Sequence, residues 1–301
     1  MANKDLNGKV VVMTGASSGF GRGASVAFAE AGASVVLSAR RQELLEQVAQ
    51  ECNSHGGRAM AVAADVSKEN EVRRLAEAAV GQFNRIDVWV NNAGSGTMGR
   101  FEEIPLDEHV QVIETDLLGT LYGSYYAMKQ FKLQGEGTLI NMSSVIGKVP
   151  APYFSSYAAA KHGIVGLDAA LRQELDDDKI KTIHVCTVMP TSMDTPFFEH
   201  AAQHTGHEVK PIPPVYDAQK VVDVIVKLAT EPEAEVSVGA AGKFFTFAHQ
   251  LAPGLVESMM RRQTQKAQYQ DSEPQPESGG AVKKPSASGA GVGGGWGKTQ
   301  S

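Results

Sequence analysis

Cysteine is scarce in this chain: 2 in 301 residues, Cys52 and Cys186. Cys52 ends a helix-like pattern and Cys186 lies inside the apolar run IHVCTV. A structural disulfide is not expected, and two inert thiols suit a reducing compartment. Long hydrophobic runs are also missing; the longest are strand-length, too short for a membrane-spanning helix. The first residues, MANKDLNGK, are polar and hold no apolar signal core. A cytoplasmic protein is expected. Positive charge is outnumbered, 28 Lys+Arg against 34 Asp+Glu for a net charge of −6. That balance gives no electrostatic reason to expect a nucleic-acid partner.

What is present is enough apolar material for one large core, 42% of residues, and one α/β domain of about 250 residues is common. Strand-like runs at Lys9–Thr14, Ser34–Ala39, Arg58–Val66, Ile86–Asn91, Thr138–Ser143, Thr182–Met189 and Glu235–Gly239 alternate with amphipathic stretches. Those stretches include Gln42–Cys52, Glu69–Phe83 and Leu106–Lys132. Such alternation predicts a parallel sheet with helices on both faces. The nearly all-apolar strands VVVM, ASVVL and TLIN fit a sheet covered on both sides. The reading divides the chain into a lead (1–7), a catalytic domain (8–245), a helical extension (246–267) and a tail (268–301). The tail is dominated by Gly, Ser, Pro and Ala, and its composition predicts disorder. Trp296 is its one sticky side chain.

The first strand runs into TGASSGFGRG, where Gly15, Gly19 and Gly21 form Gly-x-x-x-Gly-x-Gly ahead of the helical pattern ASVAFAEAG. Glycines permit a tight turn and let backbone amides approach a pyrophosphate at a helix N-terminus. In the first strand–helix–strand unit the pattern is specific for a dinucleotide. The second strand ends at Ala39, followed by Arg40 and Arg41. A carboxylate there would favour NAD. Two guanidiniums instead suit a phosphate monoester through bidentate, charge-assisted bonds, so NADP is expected, with Arg40 as the main contact.

Further along, Tyr157 and Lys161 stand four residues apart in SSYAAAKHG, and Ser144 precedes them in NMSSVIG. On a helix an i, i+4 pair shares one face. An unperturbed tyrosine loses its proton only near pH ~10, and a cation beside it favours the phenolate. A serine hydroxyl nearby is suited to the substrate oxygen whose charge changes.

In this order and spacing the motifs resemble the short-chain dehydrogenase/reductase family, over about residues 6–245. The resemblance rests on TGASSGFG, Asp65–Val66, the NNAG run ending at Gly94, Ser144, the Tyr157/Lys161 pair and the segment from Pro190 to Thr195. It implies a single-domain Rossmann-type α/β fold with a doubly wound parallel sheet. It also implies hydride transfer between nicotinamide and a carbonyl carbon. Tyr157 then carries the proton, Lys161 holds the nicotinamide ribose and lowers the tyrosine pKa, and Ser144 steadies the substrate oxygen. The loop residues Gly15, Ser17, Ser18, Gly19, Phe20 and Gly21 are expected to hold the pyrophosphate side of NADPH. By resemblance Asp65 and Val66 flank the adenine, Asn92, Ala93 and Gly94 line the adenosine and ribose, and Asn91 is open to a bracing role in the sheet. Pro190, Thr191 and Thr195 cover the nicotinamide; the family usually has glycine where Thr191 stands. The family also carries asparagine in the helix before the fifth strand, where this chain has Asp116. Its backbone carbonyl keeps the proton-relay role implied there, while the added carboxylate near Lys161 alters local pKa values.

Residues 191–215 correspond to the family's substrate-covering segment. Phe197, Phe198 and the prolines predict an apolar lid and a lipophilic ketone or aldehyde as substrate. His200, His204 and His207 recur at helical spacing and are expected on a solvated helix face, with no metal. Tyr153 and Phe154 either shape the pocket or serve as packing. The aromatics and methionines of GKFFTFAHQLAPGLVESMMRR are open to capping the pocket, and packing or oligomer contact is expected of them rather than a place on a membrane. A homodimer or homotetramer is implied by resemblance alone. The alternative to a reductase is a non-catalytic, NADP-responsive binding or regulatory protein, for which the full Ser144, Tyr157 and Lys161 set is unnecessary.

Overall fold

The computed structural model describes residues 6–286 and 288–299. Its centre is a seven-stranded sheet of β1 (Val10–Thr14), β2 (Ser34–Ala39), β3 (Arg58–Ala63), β4 (Val88–Asn91), β6 (Gly137–Met142), β7 (Ile183–Pro190) and β11 (Glu235–Val238). Two-residue strands β5 (Thr97–Met98), β8 (Met193–Asp194), β9 (Ala202–Gln203) and β10 (Tyr216–Asp217) pair outside it as β5–β9 and β8–β10. The main order is β11-β7-β6-β4-β1-β2-β3, and every pairing is parallel. The chain order reverses between β1 and β4. In doubly wound sheets the crevice beyond the strand ends at that reversal is where ligands bind.

Valines and other β-branched residues make strands that fit a surface buried on both faces. All five residues of β1, VVVMT, are buried, and so are all six of β6, GTLINM. On one face α1 (Gly19–Glu30), α2 (Gln42–Ser54) and α8 (Gln219–Leu228) seal a cluster holding Val11, Met13, Phe28, Leu45 and Ile225. On the other, α3 (Glu69–Phe83), α5 (Gly119–Gln134) and α6 (Ser155–Asp177) cover Trp89, Leu75, Phe131 and Leu139. α4 (Leu106–Ile113), the single turn α7 (Phe197–His200), α9 (Ala240–Leu251) and α10 (Pro253–Gln265) complete the helices. No described helix is long and apolar enough to cross a membrane.

Asn91 braces the sheet. Its amide donates to Asn141 Oδ1 at 2.8 Å and to Ser124 Oγ at 3.2 Å, and Trp89 Nε1 donates to its Oδ1 at 2.7 Å. Buried polar groups are costly unless satisfied, and this chain of side chains satisfies itself across β4 and β6. Cys52 and Cys186 are free and buried; burial pushes their thiols up to about 12 and about 11, so neither is a reactive thiolate.

Three expectations need correction. The single helix predicted over Leu106–Lys132 is α4 and α5 joined by a π-helical turn, Glu114–Leu118. Periodicity does not reveal one inserted residue, and that insertion carries Asp116. The three histidines do not share a helix: α7 ends at His200, and His204 is buried with Nε2 2.8 Å from Glu108. Finally, composition predicts disorder after Gln268, whereas residues 271–286 and 288–299 lie against the domain through main-chain bonds such as Gln203 N–H to Ser278 C=O at 2.8 Å. Apolar side chains were the wrong criterion, because this segment is held mainly by its backbone.

Candidate active site

The loop between β1 and α1 has to turn sharply and then present amides. Gly15 (φ +67) and Gly19 (φ +55) adopt the left-handed region open to glycine. A Cβ on Gly15 would sit 2.8 Å from the Ala93 backbone, and one on Gly21 only 2.2 Å from the Gly15 carbonyl oxygen. The turn is locked to β4, because the Asn92 amide donates to Thr14 C=O at 2.9 Å and Thr14 Oγ1 accepts from Asn92 N–H at 2.9 Å. α1 therefore starts at Gly19 with Ser18 as N-cap, whose hydroxyl makes no capping bond to the helix. Such an N-terminus is suited to a phosphate group.

A cavity of about 320 Å³ opens along this loop and runs to the catalytic cluster. It is lined by Gly15, Ser17, Ser18, Gly19 and Phe20, by Arg40, Asp65 and Val66, and by Asn92, Ala93 and Gly94. At its other end stand Asp116, Ser144, Tyr157 and Lys161, then Pro190, Thr191 and Thr195. Of the residues expected from sequence, Gly21 alone does not reach the lining; it packs the turn against Gly15 and Asn92. The cradle formed by Gly15 and Gly21, the amides at α1 and the paired guanidiniums fit a nicotinamide dinucleotide.

At the catalytic end, α6 carries Tyr157 and Lys161 one turn apart, placing the lysine Nζ 5.3 Å from the phenol ring centre. Lys161 Nζ donates to Met142 C=O at 3.0 Å and lies 3.0 Å from Asp116 Oδ2. That ion pair is close but poorly aligned, for Oδ2 makes no hydrogen bond, while Oδ1 accepts from Ser95 N–H at 2.7 Å. The Asp116 carbonyl is also engaged, accepting from Thr120 Oγ1 at 2.7 Å. Ser144 Oγ donates to Pro190 C=O at 3.4 Å and accepts from Ile146 N–H at 3.2 Å.

Burial raises the Tyr157 phenol; Lys161 and Ser144 oppose the rise, and Asp116 adds to it. Burial works against the Lys161 ammonium, yet Asp116 and Tyr157 together hold it above the ordinary lysine range. Burial likewise pushes the Asp116 carboxyl up, against Lys161 and the Ser95 amide. The cluster thus keeps a charged lysine beside a protonated phenol, an arrangement suited to donating a proton.

Phe197, expected in an apolar lid, packs its ring 5.4 Å from that of Tyr157. Phe245, Met260 and Gln263 from α9 and α10 join the cavity wall, as do Ala281, Pro285 and Ser286 of the C-terminal segment, which sequence reasoning missed. The mixed aromatic and methionine pattern of α9 and α10 was the available signal for the first group; the second left none. Phe154 lines the cavity, whereas Tyr153 turns away to stack on Tyr269 at 5.1 Å. Among the described residues no cluster of His, Cys, Asp or Glu is arranged to hold a metal ion.

Comparison with known proteins agrees with this geometry. The profile of the short chain dehydrogenase family matches residues 9–206, more than half of the chain. An uncharacterized oxidoreductase of Bacillus subtilis (strain 168) is 34% identical over 263 residues, 86% of this chain and 73% of that protein. The cyclohexanol dehydrogenase of Acinetobacter sp. (strain SE19) is 30% identical over 238 residues, 79% of this chain and 93% of the other. Among solved structures, an alcohol dehydrogenase from the archaeon Thermococcus sibiricus complexed with 5-hydroxy-NADP superimposes with a TM-score of 0.66 at 26% identity. That superposition covers 76% of this chain and 95% of the archaeal one.

Proposed function

The chain belongs to the short-chain dehydrogenase family, and on that premise we propose that it is an NADP(H)-dependent oxidoreductase that reduces a lipophilic ketone or aldehyde to its alcohol. The observation that carries this reading is one cavity joining Arg40 and Arg41 at one end to Ser144, Tyr157 and Lys161 at the other. The bound nicotinamide supplies or accepts a hydride at the carbonyl carbon. The protein's part is binding and proton transfer. Tyr157 Oη, which lines the cavity together with Ser144, donates a proton to the carbonyl oxygen as negative charge develops there. Lys161, held charged by Asp116, stabilises the phenolate left behind and, in this reading, binds the nicotinamide ribose. The Asp116 carbonyl is assigned to the proton relay, and its carboxylate tunes the pair.

Apolar walls from Phe197, Phe198, Phe245 and Met260 support a lipophilic substrate, as does the cyclohexanol for which the Acinetobacter relative is named. NADP is supported by the absence of a carboxylate after β2, by Arg40 and Arg41, and by the nucleotide in the archaeal relative. Exposed apolar side chains on α4 and α5, Leu106, Val110, Leu121 and Tyr125, support a homodimer or homotetramer. A screen of NADPH oxidation over ketones, aldehydes, sugars and 3-ketoacyl thioesters tests the function. Turnover of a lipophilic carbonyl is expected; dinucleotide binding without turnover of any carbonyl would leave only a binding protein.

A further inference from the structure

The C-terminal segment supplies the groove with acceptors where a phosphate would supply them. Arg40 donates through Nη2 to Ala281 C=O at 2.7 Å and through Nη1 to Val282 C=O at 3.2 Å. Arg41 Nη1 donates to the carbonyls of Ser286 and Ser288, each at 3.0 Å, while its Nη2 reaches Ser17 Oγ at 3.0 Å and Ser18 Oγ at 3.2 Å. The same segment meets the start of α1: Gly19 N–H donates to Gly291 C=O at 2.9 Å, and Arg22 Nη1 to Ala290 C=O at 3.0 Å. Every one of these tail acceptors is a neutral main-chain oxygen.

The segment is fastened on both sides of these contacts. Upstream, Ser278 and Gln203 exchange backbone bonds at 2.8 and 3.0 Å, Ala281 N–H donates to His200 C=O at 2.7 Å, and Val282 is fully buried beside Val112, Ala202 and Tyr157. Downstream, the Gly294 and Trp296 amides both donate to Asp194 Oδ1 at 2.9 Å, and Trp296 Nε1 to Thr195 C=O at 3.2 Å. The glycine content has a local reason. Gly289 has φ +68, and a Cβ there would meet His200 Nε2 at 2.2 Å; one on Gly294 would meet the Thr195 carbonyl oxygen at 2.4 Å.

We infer that residues 278–286 and 288–291 form an intramolecular strap that competes with the cofactor's 2′-phosphate for Arg40 and Arg41, and so sets the balance between phosphorylated and unphosphorylated dinucleotide. The inference rests on the cofactor reading above. A 2′-phosphate must take the guanidiniums from the strap carbonyls, exchanging neutral acceptors for a charge-assisted pair. A dinucleotide without that phosphate leaves the arginine contacts in place and meets only the bond at Gly19. The strap therefore handicaps NADP(H) more than NAD(H). Removing the strap widens the preference for NADP(H), and anything that holds it down narrows it.

The test uses the full chain and two variants, Val282→Asp, which ejects the buried anchor, and Gly289→Val, which cannot adopt the close approach to His200. Calorimetric titration with NADP+ and NAD+ is expected to show NADP+ binding about tenfold tighter in both variants and NAD+ gaining no more than about twofold. Amide exchange on the unaltered chain supplies a reading independent of either variant's folding. NADP+ is expected to speed exchange at Ser278 and Ala281, and NAD+ to leave it unchanged. An equal gain for both nucleotides, no gain for either, or slower exchange with NADP+ overturns the strap. If neither nucleotide binds the full chain or either variant, the cofactor reading falls and takes the strap with it.

Discussion

Asp116 Oδ2 lies 3.0 Å from Lys161 Nζ, with both side chains buried. The carboxylate is presented by the π-helical turn Glu114–Leu118, an insertion that often marks functional positions. Its negative charge raises both the lysine and the phenol of Tyr157. Removing it lowers both, so the phenolate forms at lower pH. Asp116→Asn is expected to keep turnover in alcohol oxidation while moving the rising limb of kcat/KM against pH downward by about one unit. A limb that stays in place removes the carboxylate from the electrostatics of the site.

Tyr157 is the proton carrier in the proposed reaction, and its hydroxyl contributes little to cofactor contact. Tyr157→Phe is expected to cut kcat roughly 100- to 10,000-fold while dinucleotide affinity measured by fluorescence changes less than about threefold. Lost binding with a folded protein would mean that the phenol serves the cofactor pocket and not the chemistry.

The sheet and the dinucleotide loop were legible because their signals are local. Apolar runs such as VVVMT and TLINM mark strands buried on both faces; glycines at 15 and 21 mark a turn with no room for a Cβ, and Gly19 one whose φ of +55 favours glycine. The Tyr157/Lys161 spacing needed only the period of one helix. What escaped was set by tertiary context. The His204–Glu108 pair joins residues far apart in sequence, and no composition rule foresees it. The strap escaped for a different reason: apart from the buried Val282, its bonds to Arg40, Arg41 and Gly19 run through carbonyl oxygens, which every residue has.

In the proposed reading Arg40, which lines the cavity, binds the 2′-phosphate. A planar guanidinium binds a phosphate monoester with two parallel bonds, which an alanine cannot replace. Arg40→Ala is expected to weaken NADPH binding about 10- to 100-fold and NADH binding by less than about threefold. Side-by-side titration checks it, and equal losses for the two nucleotides would place the arginine in a structural role.

Asp168 gives a stability prediction away from the chemistry. It is buried on α6, accepting from Asn141 Nδ2 at 2.5 Å and from Thr187 Oγ1 at 2.7 Å. Burial raises its carboxyl to about 6, despite those two bonds and the charge of Arg172. In the unfolded chain it titrates near ~3.9. The folded state therefore binds this proton more tightly, and the stability it confers is complete below about pH 4 and lost as pH rises through about 6. The loss amounts to roughly 3 kcal/mol, from about two pKa units. Asp168→Asn cannot titrate, and it leaves one of the two donors without its acceptor. It is expected to be less stable than the parent at pH 4, with that deficit shrinking or reversing by pH 7. Urea unfolding across this range checks the claim, and parallel curves for the two proteins would show that Asp168 stays ionised in the fold.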